Sequence, residues 1–247
     1  MRVTRDTVTD IRRVMKERHS ARVPFDPKRP VEREALLEIL EAARWAPTAH
    51  NMQNFEVVVV DDPDLLDALG KIERPLSEAF IEENYQQLSF SEEELREKGT
   101  GVLASMFPPA LRVPRAERLK LAGEIPHSFL GSSLQGSPLL LVVLYDSTKR
   151  APASEGDVLG FMSLGCVMEN IWLAAHALGL GFQILSVLGA DPVEREVKRL
   201  LRIPEKLKVG FACRVGYPLG QAPTYLRVRR DVTRFAHHNH FGDELRR

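Results

Sequence analysis

The chain has 247 residues, with 34 Lys and Arg against 34 Asp and Glu and a pI near 7.1. That length allows a sizeable core, and the balanced charge excludes an electrostatic footprint for nucleic acid or anionic membrane as the main partner. Apolar residues at 44% and charged residues at 28% are the mix of a globular protein. Cys166 and Cys213 sit without CxxC or metal-ligand spacing, which excludes a disulfide framework and suggests a cytoplasmic location.

In chain order, Met1–Arg13 lacks the apolar core of a signal peptide. Thr7-Val8-Thr9-Asp10 looks like a capping box and predicts a helix to about Arg18. Phe25 to Pro30 reads as a turn or extended link. Val31, Ala35, Leu36, Ile39, Leu40 and Ala43 recur at helical spacing, so 31–44 is a strong helix, ended by Trp45-Ala46-Pro47. Phe55 to Val60 is a β-branched run and predicts a buried strand. Asp61-Asp62-Pro63 opens a helix to about Lys71, and the charged stretch 73–98 predicts more helix. Residues 99–136 show no clear period and predict loops and short helices, suited to a cover.

Leu139 to Tyr145 predicts a second buried strand. Val158 to Leu180 is long and apolar. A membrane span would place Glu169 and Asn170 near the bilayer centre, which is costly, so a helix buried in a core or a subunit interface is expected. Phe182 to Val187 predicts a short strand, Asp191-Pro192 the cap and start of a helix to about Arg202, and Lys208 to Gly216 a further strand. Strands and helices alternate with long, irregular connections, which fits mixed α+β better than a regular βαβ repeat. No linker or repeat divides the chain, so 1–247 is read as one domain. Gly179-Leu180-Gly181 closes a helix rather than opening one, so a Rossmann site is poorly supported.

Two segments carry chemistry. Arg18-His19-Ser20-Ala21-Arg22 gathers two guanidinium forks, an imidazole and a hydroxyl within five residues. That set suits phosphate oxygens and a polyol or ring carbonyl, although a basic helix end has the same composition. Ala46 to Phe55 places short polar arms, Thr48, His50, Asn51 and Gln53, between a strong helix and a buried strand. It suits a ligand loop, or equally a helix end with local side-chain caps. His237-His238-Asn239-His240 lacks supporting cysteine or carboxylate spacing, so no metal is expected there.

Together these segments resemble the nitroreductase family of FMN-dependent oxidoreductases. The matching parts are RHSAR followed by Pro24-Phe25, the run EAARWAPTAHNMQNF at 41–55, NIWLAAHALGLG at 170–181, and Arg227-Val228-Arg229. They occur in the family's order. The chain departs from the pattern where Asn54-Phe55 replaces the usual Pro-Trp. Ser186-Val187 stands where many members have Glu-Gly or Gly-Gly. Residues 73–136 match no family motif.

The resemblance implies a three-layer α/β/α sandwich around a mixed, mostly antiparallel sheet, in an intertwined homodimer with FMN at the interface. It implies that Arg18 and Arg229, with Arg227, hold the phosphate, and that His19 and Ser20 bond the ribityl chain or ring edge. Arg22 would lie by flavin N1/O2, where one cation at roughly 4 Å and an effective dielectric of about 20 is worth about 4 kcal/mol before desolvation. Pro47, Thr48 and Asn51 would approach from the other subunit, and Ile184, Leu185, Ser186 and Val187 would run along the ring. The implied activity passes hydride from NADH or NADPH through flavin N5 to a small electron-poor acceptor such as a nitroaromatic or quinone, with no obligatory side-chain acid. Alternatives on the same fold are reductive dehalogenation, flavin fragmentation, a dehydrogenating oxidase, or flavin binding without turnover. Residues 73–136 would supply a substrate cover, with Phe80, Tyr85, Phe90 and Phe107 as stacking candidates or core.

Overall fold

A computed structural model describes residues 5–73, 82, 87–106, 117, 134, 136–152, 156–220 and 225–245. They belong to two units, Met1–Arg74 with Ser128–Ala222, and Pro75–His127 with Pro223–Arg247. The elements are α1 (Arg5–Glu17), α2 (Arg33–Arg44), β1 (Phe55–Val60), α3 (Pro63–Gly70), β2 (Ser89–Phe90), α4 (Glu92–Lys98), β3 (Val102–Leu103), β4 (Leu139–Asp146), α5 (Val158–Ala177), β5 (Gly181–Ile184), α6 (Val193–Leu201) and β6 (Leu207–Gly216).

The first unit is organised by β4, whose run LLLVVLYD is buried almost throughout. A strand that apolar must be covered on both faces. Leu139, Leu141 and Val143 enter one cluster with Ile39 and Ala43 of α2 and Leu164, Val167 and Ile171 of α5. The intervening Leu140, Val142 and Leu144 enter another with Leu66 and Leu69 of α3 and Val193 and Val197 of α6. The sheet order is β1-β4-β6-β5, and every neighbouring pair is antiparallel. Phe55 pairs with Tyr145, Leu139 with Val215, and Gly181 with Gly216.

The β4–β6 register slips between Val143 and Leu144, leaving Gly210 as the extra residue of a bulge. Beside it the Val209 N–H donates to the buried Glu194 carboxylate at 2.8 Å. Asp62 caps α3 by accepting from the Asp64 and Leu65 N–H groups. At the end of β4, Asp146 accepts from the Thr148 hydroxyl at 2.6 Å and the Thr148 N–H at 3.0 Å. Those bonds hold its carboxyl below the usual carboxylate range, helped by Lys206 and Lys149.

Helix α5 is long and apolar enough to cross a membrane by length and composition. One side packs into the unit through Gly160, Ser163, Leu164, Val167, Ile171 and Ala175. On its outer side Val158, Phe161 and Met162 are exposed, so within the chain it is not covered all round as its composition suggests.

Further expectations for this unit need correction. Thr7–Asp10 lies inside α1, where the Thr9 hydroxyl donates to the Arg5 carbonyl, rather than at its cap. The strand expected over 182–187 ends at Ile184, because Leu185 turns the chain into a 3₁₀ turn over Ser186–Gly189 that buries Leu185 and Leu188. Asp191 does not cap α6, which starts at Val193 after Pro192 without a side-chain cap.

The second unit contains the parallel pair β2–β3, and α4 with a capping box between Ser91 and Glu94. The expected helix over 73–98 is therefore interrupted by a strand at 89–90. Phe90 lies beneath Lys98, 5.2 Å from nitrogen to ring centroid, and against Gly101. Phe80, Tyr85 and Phe107 fall outside the described residues.

Candidate functional site

After α1 the chain runs along β5 as a strap. Ser20 bridges Phe182 in parallel, and the buried Ala21 donates its N–H to the Phe182 carbonyl at 2.8 Å. Further on, the Leu219 N–H donates to the Pro24 carbonyl and the Asp26 N–H to the Tyr217 carbonyl. Residues 20–26 therefore lie fixed between β5 and the chain leaving β6. Phe25, fully buried, is the anchor. Its ring occupies a slot created by the facing pair Gly181 and Gly216. A Cβ on Gly181 would come within 2.7 Å of the ring, and one on Gly216 within 2.9 Å. Tyr217, just past β6, donates its hydroxyl to Glu32 and lies under the Arg29 guanidinium, 3.3 Å from the ring centroid. That bond holds Glu32 below the usual carboxylate range and pushes the Tyr217 hydroxyl up.

The side chains on the strap form a dense donor set. The Arg18 Nε donates to Glu169 at 2.8 Å, with its guanidinium 4.7 Å above the Trp172 ring. Trp172 stacks on Phe182 at 5.1 Å and donates its indole N–H to the His19 carbonyl at 3.3 Å. His19 is exposed, with its ring edge toward His176 at 6.1 Å. Ser20 is half-buried. Arg22 is exposed, and its N–H closes a tight turn onto the Ser20 carbonyl. The structure thus brings Arg18, His19, Ser20 and Arg22 together at one edge of the sheet.

Pro47, Thr48 and Asn51 lie on a second feature of the same unit. They share an open cleft of about 560 Å³ with Arg44, Trp45, Ala46 and Gln53. The loop is bent: His50, Asn51 and Gln53 have φ of 51°, 53° and 46°, the left-handed region that costs non-glycine residues. Local bonds hold that shape. The Gln53 N–H donates to the Thr48 hydroxyl, the Gln53 amide to the Asn51 side chain, and the Ala49 N–H to the Ser163 hydroxyl of α5.

Of the four residues expected along a ring, Ile184 ends β5 and Leu185 is buried in the core, its N–H on the Ala212 carbonyl. Ser186 is exposed and Val187 half-buried, both in the 3₁₀ turn. Arg227 and Arg229 belong to the second unit. Both are exposed, and Arg229 donates to the Val228 carbonyl.

Four contributors escaped the sequence reading of roles: Trp172, Ser163, Gln183 and Arg214. The last is buried in β6 and donates to Gln183, Ala21 and Val23. A lone hydroxyl in an apolar helix and an arginine inside the run FACRV were the available signals.

The sequence profile of the nitroreductase family matches residues 15–217, which includes the strap, the bent loop and the whole sheet. The chain belongs to the nitroreductase family. Solved structures share its fold. An FMN-dependent nitroreductase from Clostridium difficile is 22% identical, with a TM-score of 0.56 over 92% of this chain and 98% of that one. A nitroreductase with bound FMN from Bacteroides fragilis is 21% identical, with a TM-score of 0.56 over 91% and 96%. A candidate NADH dehydrogenase/NAD(P)H nitroreductase from Parabacteroides distasonis is 19% identical, with a TM-score of 0.57 over 94% and 99%. As a nitroreductase-family chain this protein has the α+β content and antiparallel sheet expected of it.

Proposed function

We propose that this nitroreductase-family chain is an FMN-dependent oxidoreductase that uses NADH or NADPH to reduce a small electron-poor acceptor, such as a nitroaromatic or quinone. The observation that carries the reading is the strap. Its backbone is held by β5 and by the chain just past β6, and its side chains present cations and donors in one short run. The donor set fits FMN by its chemistry: guanidinium forks for a dianionic phosphate, and an imidazole and a hydroxyl for a polyol or ring edge. The B. fragilis relative carries FMN in its structure.

On this reading Arg18, with Arg227 and Arg229, holds the phosphate, and His19 and Ser20 bond the ribityl chain or ring edge. Arg22 places a positive charge beside the ring. Pro47, Thr48 and Asn51 serve from a second subunit, and Ile184, Leu185, Ser186 and Val187 bound the ring. Leu185 does so through its backbone, since its side chain is in the core. Bound FMN would supply the two-electron redox chemistry, and the chain's own residues bind, orient and exclude water. The rigid bent loop and the strap allow this with little reorganisation on binding.

A three-layer homodimer completes the reading. The exposed Val158, Phe161 and Met162 of α5 form the apolar patch that a second copy would cover. Sedimentation equilibrium of Phe161→Asp should then show monomer where the parent chain shows dimer; an unchanged mass would remove this face from the interface. Both cysteines are free thiols, which suits a reducing compartment.

The test of function is anaerobic. FMN-loaded protein mixed with NADH or NADPH should lose its visible flavin absorbance and recover it on adding a quinone. A flavin that neither nucleotide bleaches would reject the proposed activity.

A further inference from the structure

Strand β6 carries a buried arginine. Arg214 is 3% exposed. Its Nε donates to the Gln183 side chain at 2.8 Å, and its Nη2 to the Ala21 carbonyl at 3.1 Å and the Val23 carbonyl at 2.7 Å. The guanidinium carbon lies 4.3 Å from the centroid of the Phe25 ring. Among the described residues no carboxylate is within ion-pair distance of it, and these three acceptors are neutral. Burial pulls its pKa down to about 10, which still leaves it a cation at neutral pH.

A buried, unpaired charge is expensive, and a methionine or leucine would fill a strand interior at lower cost. What arginine does here is geometric. The Ala21 and Val23 carbonyls flank Arg22, and one guanidinium nitrogen, Nη2, reaches both while Nε is held by Gln183. Ala21 is then held on both sides, its N–H by the Phe182 carbonyl and its carbonyl by Arg214. The same guanidinium packs on Phe25, the anchor two residues beyond Val23. The segment bearing Ser20 and Arg22 is therefore fixed from beneath by a residue almost two hundred positions later in the chain.

We propose that Arg214 is a positioning residue for FMN binding: its guanidinium clamps the Ala21 and Val23 carbonyls and so sets the direction of Ser20 and Arg22 before any ligand arrives. The inference rests on the cofactor reading above for its ligand, but the clamp itself is a property of the chain alone. Lysine keeps the charge but lacks the fork, so it cannot reproduce the three-acceptor geometry. Methionine keeps the length and removes both charge and donors.

The experiment uses Arg214→Lys and Arg214→Met in the full chain, with two readouts well below the melting temperature. The first is amide hydrogen exchange of residues 19–25 in FMN-free protein, with the β4 amides as internal reference. Losing two charge-assisted bonds should lower protection of 19–25 in Arg214→Met by at least about tenfold while β4 is unchanged. The second is the FMN dissociation constant from flavin fluorescence, which should rise about tenfold or more in Arg214→Met. Arg214→Lys should fall between this variant and the parent in both.

A uniform loss of protection across β4 and the strap, with unchanged FMN affinity, would mean a merely structural role and overturn the proposal. Parent-like protection and affinity in both variants would overturn it as well. Should Arg214→Met fail to fold, Arg214→Lys decides by the same two readouts. Should the parent chain bind no FMN, the cofactor reading fails, and the exchange arm still decides whether the clamp exists.

Discussion

Gly181→Ala tests the slot that anchors the strap. Gly181 starts β5 and does not have a positive φ, so alanine meets no backbone penalty there. The cost is contact alone. The new methyl would lie 2.7 and 3.0 Å from two carbons of the Phe25 ring and 2.9 Å from Pro218. Ordinary contact needs about 3.5–4.0 Å, so the ring must retreat by roughly 1 Å. Phe25 has no room to retreat, because Gly216 and Arg214 close its other sides. Overpacking of this kind costs about 1–3 kcal/mol. At about 2–4 °C per kcal/mol for a chain of this size, the melting temperature should fall by about 2–12 °C.

Thermal unfolding by circular dichroism reads that shift, and a double-mutant cycle identifies its cause. Phe25→Leu replaces the ring with a shorter aliphatic side chain, so Gly181→Ala in that background should cost about 1 kcal/mol less than in the parent. An unchanged melting temperature in Gly181→Ala, or strictly additive effects, would refute the slot argument.

Two further predictions concern charge. Arg18→Ala should weaken FMN binding by about ten- to a hundredfold, the value of a charge-assisted phosphate contact, whereas Arg22→Ala should lower the flavin midpoint potential more than the affinity; isothermal titration and anaerobic redox titration separate them. Asp146 has its carboxyl pKa depressed in the folded chain by Thr148. Its contribution is therefore present above the unfolded-state value of about 4 and is lost as pH falls through the lower folded value. The stability gap between Asp146→Asn and the parent should be open at pH 7 and close in acid, and a gap independent of pH would contradict this.

The sheet was legible because its strands are β-branched or leucine-rich runs bounded by clear punctuation; 55–60 and 139–146 were placed within a residue. Hydrophobicity alone misplaced the end of β5, since the run Ile184 to Leu188 reads equally well as strand or as a buried 3₁₀ turn. Thr7-x-x-Asp10 misled because aspartate, one methylene shorter than glutamate, is a poor reciprocal partner in a capping box. Ser91-x-x-Glu94, a proper box, marks the true start of α4.

The donor set on the strap was visible as composition, but what fixes it was not. The Gly181–Gly216 slot and the Arg214 clamp join positions far apart in sequence, and only pairing of β5 with β6 brings them together. Arg214 was nonetheless announced by its place in an apolar strand, where a charge needs a reason.

The most direct test of the central claim is a titration of the FMN-free chain with FMN, followed by quenching of flavin fluorescence. The strap predicts saturable binding at one FMN per chain, weakened in Arg18→Ala. Fluorescence that stays that of free flavin throughout the titration would contradict it.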